Sequence, residues 1–251
     1  MRDVGRIVVF DDAGALARHA ASEFAARCAR SVEARGRFSV ALSGGSTPRR
    51  LNRILAEDPS HRAIPWEGVH LFWGDERHVP PEDPASNYRM VEESLLSKVK
   101  IPAANVHRIE AEREAAEAAS LYEAELRRSF GVAEGNLPRF DLVFLGMGAD
   151  GHTASLFPGS DALEVRDRSV AAPWVPQLSA HRITLTIPVF DAAAAVLFLV
   201  SGAEKAHTLA RVLDPATPPE GFPCLRVRPV DGELIWLLDR PAAGSIERPP
   251  G

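Results

Sequence analysis

The chain has 251 residues, 45% hydrophobic and 25% charged, with a formal net charge of -5. That length buries a large core and suits one α/β domain; no long polar linker divides it, so a single domain over 1–240 is expected, with a Pro- and Gly-rich flexible tail over 241–251. Lys and Arg are scattered with no basic stripe, which excludes nucleic acid as an expected partner.

The opening MRDVGRIVVFDD holds only the apolar run IVVF before two aspartates, too short for a signal peptide or a membrane span. A cytoplasmic protein with no membrane partner is expected. Strands are predicted at Arg6 to Phe10, Phe38 to Ser43, Val69 to Trp73, Phe140 to Leu145, Arg182 to Ile187, Ala195 to Ser201 and Leu234 to Leu238. Between them, Asp12 to Arg35 repeats Leu16, Ala20, Phe24 and Cys28 at helical spacing, and Arg113 to Phe130 repeats Ala118, Leu121, Tyr122 and Leu126. A further helix is expected over Glu204 to Leu213, ended by Asp214-Pro215. Short apolar runs alternating with amphipathic stretches predict a mostly parallel sheet with helices on its faces. Cys28 and Cys224 lie far apart and read as buried small hydrophobes, neither a disulfide nor a zinc pair.

Ligands of such sheets bind outside the carboxyl ends of the strands, and the suggestive segments follow predicted strands. In ALSGGSTPRRL, Thr47 reads as an N-cap and Pro48 as the first helical residue. Ser43, Gly44, Gly45, Ser46 and Thr47 then surround a helix N-terminus, whose free amides and dipole favour an anion such as phosphate. The Gly-Lys-Ser/Thr ending of a P-loop is missing. In FWGDERHVPPEDPASNYRM, Arg77 can hold a phosphate or carboxylate in bidentate fashion and Asp75 can position it or meet sugar hydroxyls. Glu76 and His78 read as parts of a surface salt-bridge cluster. Ser86 or Asn87 is expected to cap a helix running through Val99.

The richest segment is GMGADGHTASLFPG, which follows the run FDLVFL. Its glycines let backbone approach a small ligand, and Asp150 and His152 put a carboxylate and a titratable base beside it. Gly146, Gly148 and Gly151 also satisfy G-x-G-x-x-G. A dinucleotide site needs a helix opening at the third glycine, and here HTASLF stops at Pro158-Gly159 while Asp150 would oppose a pyrophosphate. Beyond AVLFLVSG, Lys205 stands near a helix start, where the dipole disfavours a cation unless an anion is bound. Arg182 reads as either a phosphate contact or an edge charge.

Together SGGSTP, GDERHVPPEDPASNY, LGMGADGHTASLFPG and VSGAEK resemble the 6-phosphogluconolactonase family, in order and over essentially the whole chain. The resemblance implies a Rossmann-like single-domain α/β fold related to glucosamine-6-phosphate deaminase and ribose-5-phosphate isomerase. It also implies hydrolysis of 6-phospho-D-glucono-1,5-lactone to 6-phosphogluconate in the oxidative pentose phosphate pathway, with no metal or organic cofactor. By the same resemblance His152 is the general base for water and Asp150 orients it or meets substrate hydroxyls. Arg77 falls by the phosphate or the developing oxyanion, and Lys205 and the Ser43 to Thr47 loop fall on the phosphate. The expected partner is a small sugar-phosphate lactone, bound by a monomer or small homo-oligomer.

A δ-lactone is an activated ester, so its hydrolysis needs a base, donors for the carbonyl oxygen and a grip on the phosphate. Ser43, Ser46 and Ser155 lie outside any G-x-S-x-G elbow, and no acyl-enzyme is expected. Two rivals share the fold: a sugar-phosphate deaminase or isomerase, and a non-catalytic sugar-phosphate sensor. Deaminases resembling D-G-H-I-A-F-N-E-P carry a glutamate five residues after the histidine, where this chain has Phe157. A sensor would add a helix-turn-helix segment, for which the chain ahead of Arg6 leaves no room.

Overall fold

The computed structural model describes residues 4–244 and 246. In chain order its elements are β1 (Arg6–Phe10), α1 (Ala13–Arg35), β2 (Phe38–Leu42), α2 (Ser46–Glu57), β3 (Val69–Trp73), β4 (Asp75–Arg77), α3 (Asn87–Ser94), β5 (Val106–His107), α4 (Ala115–Phe130), β6 (Leu142–Leu145), β7 (Val170–Ala171), β8 (Trp174–Val175), β9 (Ala180–Leu185), α5 (Ile187–Asp191), β10 (Ala195–Val200), α6 (Ala206–Leu213), β11 (Glu233–Asp239) and α7 (Arg240–Ala243). Seven strands form one parallel sheet in the order β1, β11, β10, β6, β2, β3, β5. The predicted mostly parallel sheet is present. Its central strands β2, β6 and β10 are buried at every position, which is why they read as continuous apolar runs rather than alternating ones.

Helix α1 begins where the Asp12 carboxylate accepts the Ala15 N–H at 2.8 Å and ends at Gly36, whose φ of 69° is the left-handed conformation that closes the last turn. Its stripe of Leu16, Ala20, Phe24 and Cys28 is fully buried, with Phe24 edge-on to Phe38 at 5.2 Å. Burial pushes the Cys28 thiol up to about 12, in keeping with a small hydrophobe. On the other side of the sheet centre, Phe198 of β10 and Trp236 of β11 stack at 4.0 Å.

The expected strand Arg182 to Ile187 is corrected in place and partner. Ala180–Leu185 leaves the main sheet and pairs antiparallel with β4, β7 and β8, while Ile187 opens α5. The break that permits this is at Trp73-Gly74. The Trp73 N–H donates to Tyr122 Oη of α4 at 2.9 Å, and the same hydroxyl donates to the Trp73 carbonyl at 2.9 Å. A side chain thus takes both ladder groups of the last β3 residue, and the chain turns through Gly74 into β4. Strands as short as β4, β5, β7 and β8 have too few residues to show period-2 alternation.

Other boundaries shift for local reasons. Strand β6 starts at Leu142, after Asp141, whose carboxylate replaces a ladder partner by accepting the Ser39 N–H at 2.7 Å and its hydroxyl at 2.9 Å. Helix α3 ends at Ser94, short of the expected Val99, with a single 3-10 turn following. HTASLF forms no helix, only a tight turn closed by a Thr153–Leu156 bridge. The expected tail over 241–251 begins inside a helical turn, Arg240–Ala243, which is capped by Asp239 and has Ala242 buried. Of the residues after it, 245 and 247–251 lie outside the described residues. No described helix is long and apolar enough to cross a membrane.

Glu76 is not a surface charge. It is 2% exposed, and its carboxylate accepts from the backbone of Arg77, Asn87 and Tyr88 and from the Ser86 hydroxyl at 2.7 to 3.1 Å. It therefore serves the free amides at the start of α3. Burial raises its pKa above the ordinary carboxylate value, although the three N–H donors oppose this. Glu76→Ala strands two buried helix-end donors and is expected to cost about 2–4 kcal/mol, measured by urea unfolding; a loss below about 0.5 kcal/mol would contradict this role.

At the sheet edge, His70 Nδ1 meets His107 Nε2 at 3.0 Å and His107 Nδ1 meets Glu125 at 2.6 Å. Burial first, then Arg37 and His107, pull the His70 pKa from 6.5 to about 4. Between those values the unfolded chain binds the proton that the folded chain refuses, so stability is lost as pH falls from 6.5 toward about 4. His107 shifts the same way through burial, opposed by Glu125. The fall in Tm over that interval is expected to be smaller in His70→Gln than in the wild type; equal falls would remove the histidine pair as its source.

Candidate active site

In the main sheet β2 and β6 are neighbours, yet the chain leaves β2 toward β3 on one side and leaves β6 toward β10 on the other. The connections diverge, opening a crevice at the carboxyl ends of these strands. The loops after β2, β3, β6 and β10 are the four segments that the sequence singles out.

After β2 the backbone passes through Ser43, Gly44 and Gly45 into α2. Helix α2 starts at Ser46, with Gly45 at its N-cap in a φ of 112° and no side-chain cap. Thr47 is therefore not the cap; it lies inside the helix, where its hydroxyl meets the Ser201 hydroxyl at 2.6 Å and joins the loops after β2 and β10. Gly44 has no room for a side chain, since a Cβ would fall 1.9 Å from Asn87 Oδ1. The Ser43 hydroxyl is buried and meets no partner. A helix N-terminus with uncapped amides and an orphaned hydroxyl beside it has the donor chemistry of an anion site.

After β3, the β4 pairing with β9 sets Asp75 opposite Thr184 and Arg77 opposite Arg182. Directly opposed residues of antiparallel strands share a face, and like charges there are destabilising. Among the described residues neither guanidinium makes an ion pair: Arg77 donates to the Ala85 carbonyl and Arg182 to the His181 carbonyl. Burial and then the Arg77 charge lower the Arg182 pKa, opposed by the carboxylates of Asp75 and Glu76. Two adjacent, partly buried cations held by neutral acceptors constitute a second locus for negative charge. Arg182 lies on β9, which runs between β4 and β7. His78 faces away, with Nε2 on the Arg113 carbonyl at 2.8 Å.

After β6, the Asp150 carboxylate accepts the His152 N–H at 3.1 Å and lies 2.6 Å from His152 Nδ1. Partial burial resists ionisation of Asp150, but the His152 amide and imidazole outweigh it and hold its pKa below the ordinary value. A carboxylate accepting at Nδ1 selects the neutral tautomer whose Nε2 keeps its lone pair. The imidazole stacks on Phe157 at 4.3 Å and is 30% exposed. Gly148 must be glycine because a Cβ there would fall 2.1 Å from His152 Nδ1.

Hydrogen bonds tie these loops together. Ser155 Oγ donates to Asp75 Oδ2 at 2.7 Å, and Asn87 Nδ2 donates to the Asp75 carbonyl at 2.9 Å. Thr208 of α6 donates to the Ala149 carbonyl at 2.5 Å. Ser155 and Asn87 carry no sequence signal for these positions, because their partner Asp75 is 80 and 12 residues away. Lys205 stands at the N-cap of α6, at the end of the connection after β10, with no side-chain cap hydrogen bond. No group of three or more His, Cys, Asp or Glu among the described residues is placed to hold a metal ion.

The profile of the family described as glucosamine-6-phosphate isomerases/6-phosphogluconolactonase matches residues 11–236. A 6-phosphogluconolactonase of Synechocystis sp. is 43% identical over 88% of this chain and 89% of its own length. The solved 6-phosphogluconolactonase of Trypanosoma cruzi superposes with a TM-score of 0.87 at 30% identity, covering 98% of each chain. A monomeric glucosamine-6-phosphate deaminase shares the fold at a TM-score of 0.80 but only 18% identity. With the matched region spanning every strand-end loop just described, the chain belongs to the glucosamine-6-phosphate isomerase/6-phosphogluconolactonase family.

Proposed function

We propose that this chain hydrolyses 6-phospho-D-glucono-1,5-lactone to 6-phospho-D-gluconate. The carrying observation is the Asp150–His152 pair at 2.6 Å, a base oriented by a carboxylate at the end of β6, with anion-binding loops on neighbouring strands. His152 Nε2 takes a proton from water as the water oxygen attacks C1 of the lactone. The carbonyl oxygen gains the charge, and the C1–O bond of the ring then breaks as the imidazolium returns its proton to the leaving ring oxygen. Asp150 stabilises the imidazolium in between. Arg77 and Arg182 face the developing oxyanion, where fixed cations contribute most in the transition state. The uncapped start of α2, the Ser43 hydroxyl and Lys205 hold the phosphate, which places C1 beside the base.

Phe157 supports hydrolysis over isomerisation. It packs its ring on His152 and offers no carboxylate to move a proton between carbons. Ser155 is no nucleophile in this scheme, since it is 1% exposed and donates to Asp75. The enzyme acts in the cytoplasm on a small molecule, as a monomer or small homo-oligomer, without nucleic acid or membrane.

Purified protein is expected to consume 6-phosphogluconolactone faster than the spontaneous rate, and no excess over buffer would overturn the assignment. His152→Ala is expected to lower kcat by about 10²-fold or more, read by the same background-subtracted assay, with Tm little changed. Lys205→Ala should mainly raise KM and Arg77→Gln mainly lower kcat, because phosphate binding is uniform while oxyanion contacts strengthen in the transition state. The reverse split would exchange the two roles.

A further inference from the structure

At the opposite pole of the sheet, beside the amino ends of β2, β6 and β10, lies a second cavity of about 600 Å³. It is lined by Arg35, Arg37, Arg139, Ser129 and Asp141, among others, on a chain whose net charge is -5. Among the described residues, one of the three cations is ion-paired: Arg35 pairs with Asp141, whose charge also acts on Arg37 and whose remaining acceptor capacity goes to Ser39 and Ser31. Arg37 donates to the Ser129 carbonyl at 2.6 Å and the Ser129 hydroxyl at 2.7 Å, and lies over the Phe130 ring at 5.3 Å. Arg139 donates to the carbonyls of Ala192 and Asp231 at 2.8 Å each. Both guanidiniums are thus oriented by neutral acceptors, and neither forms an ion pair among the described residues. The Ser129 hydroxyl accepts from Arg37, which leaves its own proton to donate.

Bidentate staples like these fix a guanidinium without cancelling its charge, and two of them on one cavity wall favour a ligand with two negative charges. The volume exceeds that of a bare oxyanion. We infer that this pole is a second anion site, built for a small molecule carrying a phosphate monoester or diphosphate group. With five-residue strands, it stands about 16 Å from the catalytic crevice, so one substrate cannot span both.

The test is a backbone-amide NMR titration of the whole protein with inorganic pyrophosphate, run beside sodium chloride at matched ionic strength. Saturable shifts at Arg37, Ser129, Phe130 and Arg139, with a Kd of about 1 mM or tighter, are expected with pyrophosphate and not with chloride. In Arg37→Gln/Arg139→Gln the affinity at those amides should fall about tenfold or more, while shifts at Ser43 to Thr47 and the lactonase rate stay as in the wild type. Shifts confined to the Ser43 to Thr47 loop, or equal shifts with chloride, would overturn the inference. If the double variant does not fold, the wild-type map decides alone.

Discussion

The buried carboxylate of Asp75 is the point on which the catalytic end of the molecule depends. It sits where the chain has just left the main sheet, and it is 6% exposed. Ser155, from the loop that carries Asp150 and His152, donates to one of its oxygens, and Asn87, from the start of α3, binds its backbone and fills the space over Gly44. Three loops from three strands are thereby registered on one residue. A buried charge is retained only when such donors surround it, because an unpaired one is costly.

Adjacent residues divide the labour by strand alternation. Asp75 and Arg77 point to one face of β4, toward Thr184 and Arg182, while Glu76 points to the other and satisfies the amides of α3. Two carboxylates in succession thus do different things, one binding Ser155 from the loop after β6 and one holding the helix whose first residue, Asn87, presses on Gly44 in the loop after β2. The Tyr122 hydroxyl makes this possible by taking both backbone groups of Trp73, so the strand can end without orphaned donors.

The electrostatics follow one pattern at both poles. Arginines are oriented by backbone carbonyls and hydroxyls instead of carboxylates, at Arg77 and Arg182 on the catalytic side and at Arg37 and Arg139 on the other. Positive charge held this way stays available to a ligand. The histidines divide similarly. His152 is open to solvent on one edge and paired to an ionised aspartate, whereas His70 and His107 are inside the sheet edge, where burial keeps them neutral.

Much of this was legible in the letters. Continuous apolar runs announced the central parallel strands, since strands covered on both faces need no alternation. The helical spacing of Leu16, Ala20, Phe24 and Cys28 marked α1, and the glycines with Asp150 and His152 marked the loop after β6. These features are local: capping, turn chemistry and burial act within a few residues, so sequence alone determines them. Only the tertiary structure decided that Ala180–Leu185 quits the sheet, that Glu76 is buried, and that Arg77 and Arg182 stand side by side. Each of these rests on a partner far along the chain, and a hydrogen bond or pairing between distant residues leaves no periodicity for the sequence to carry.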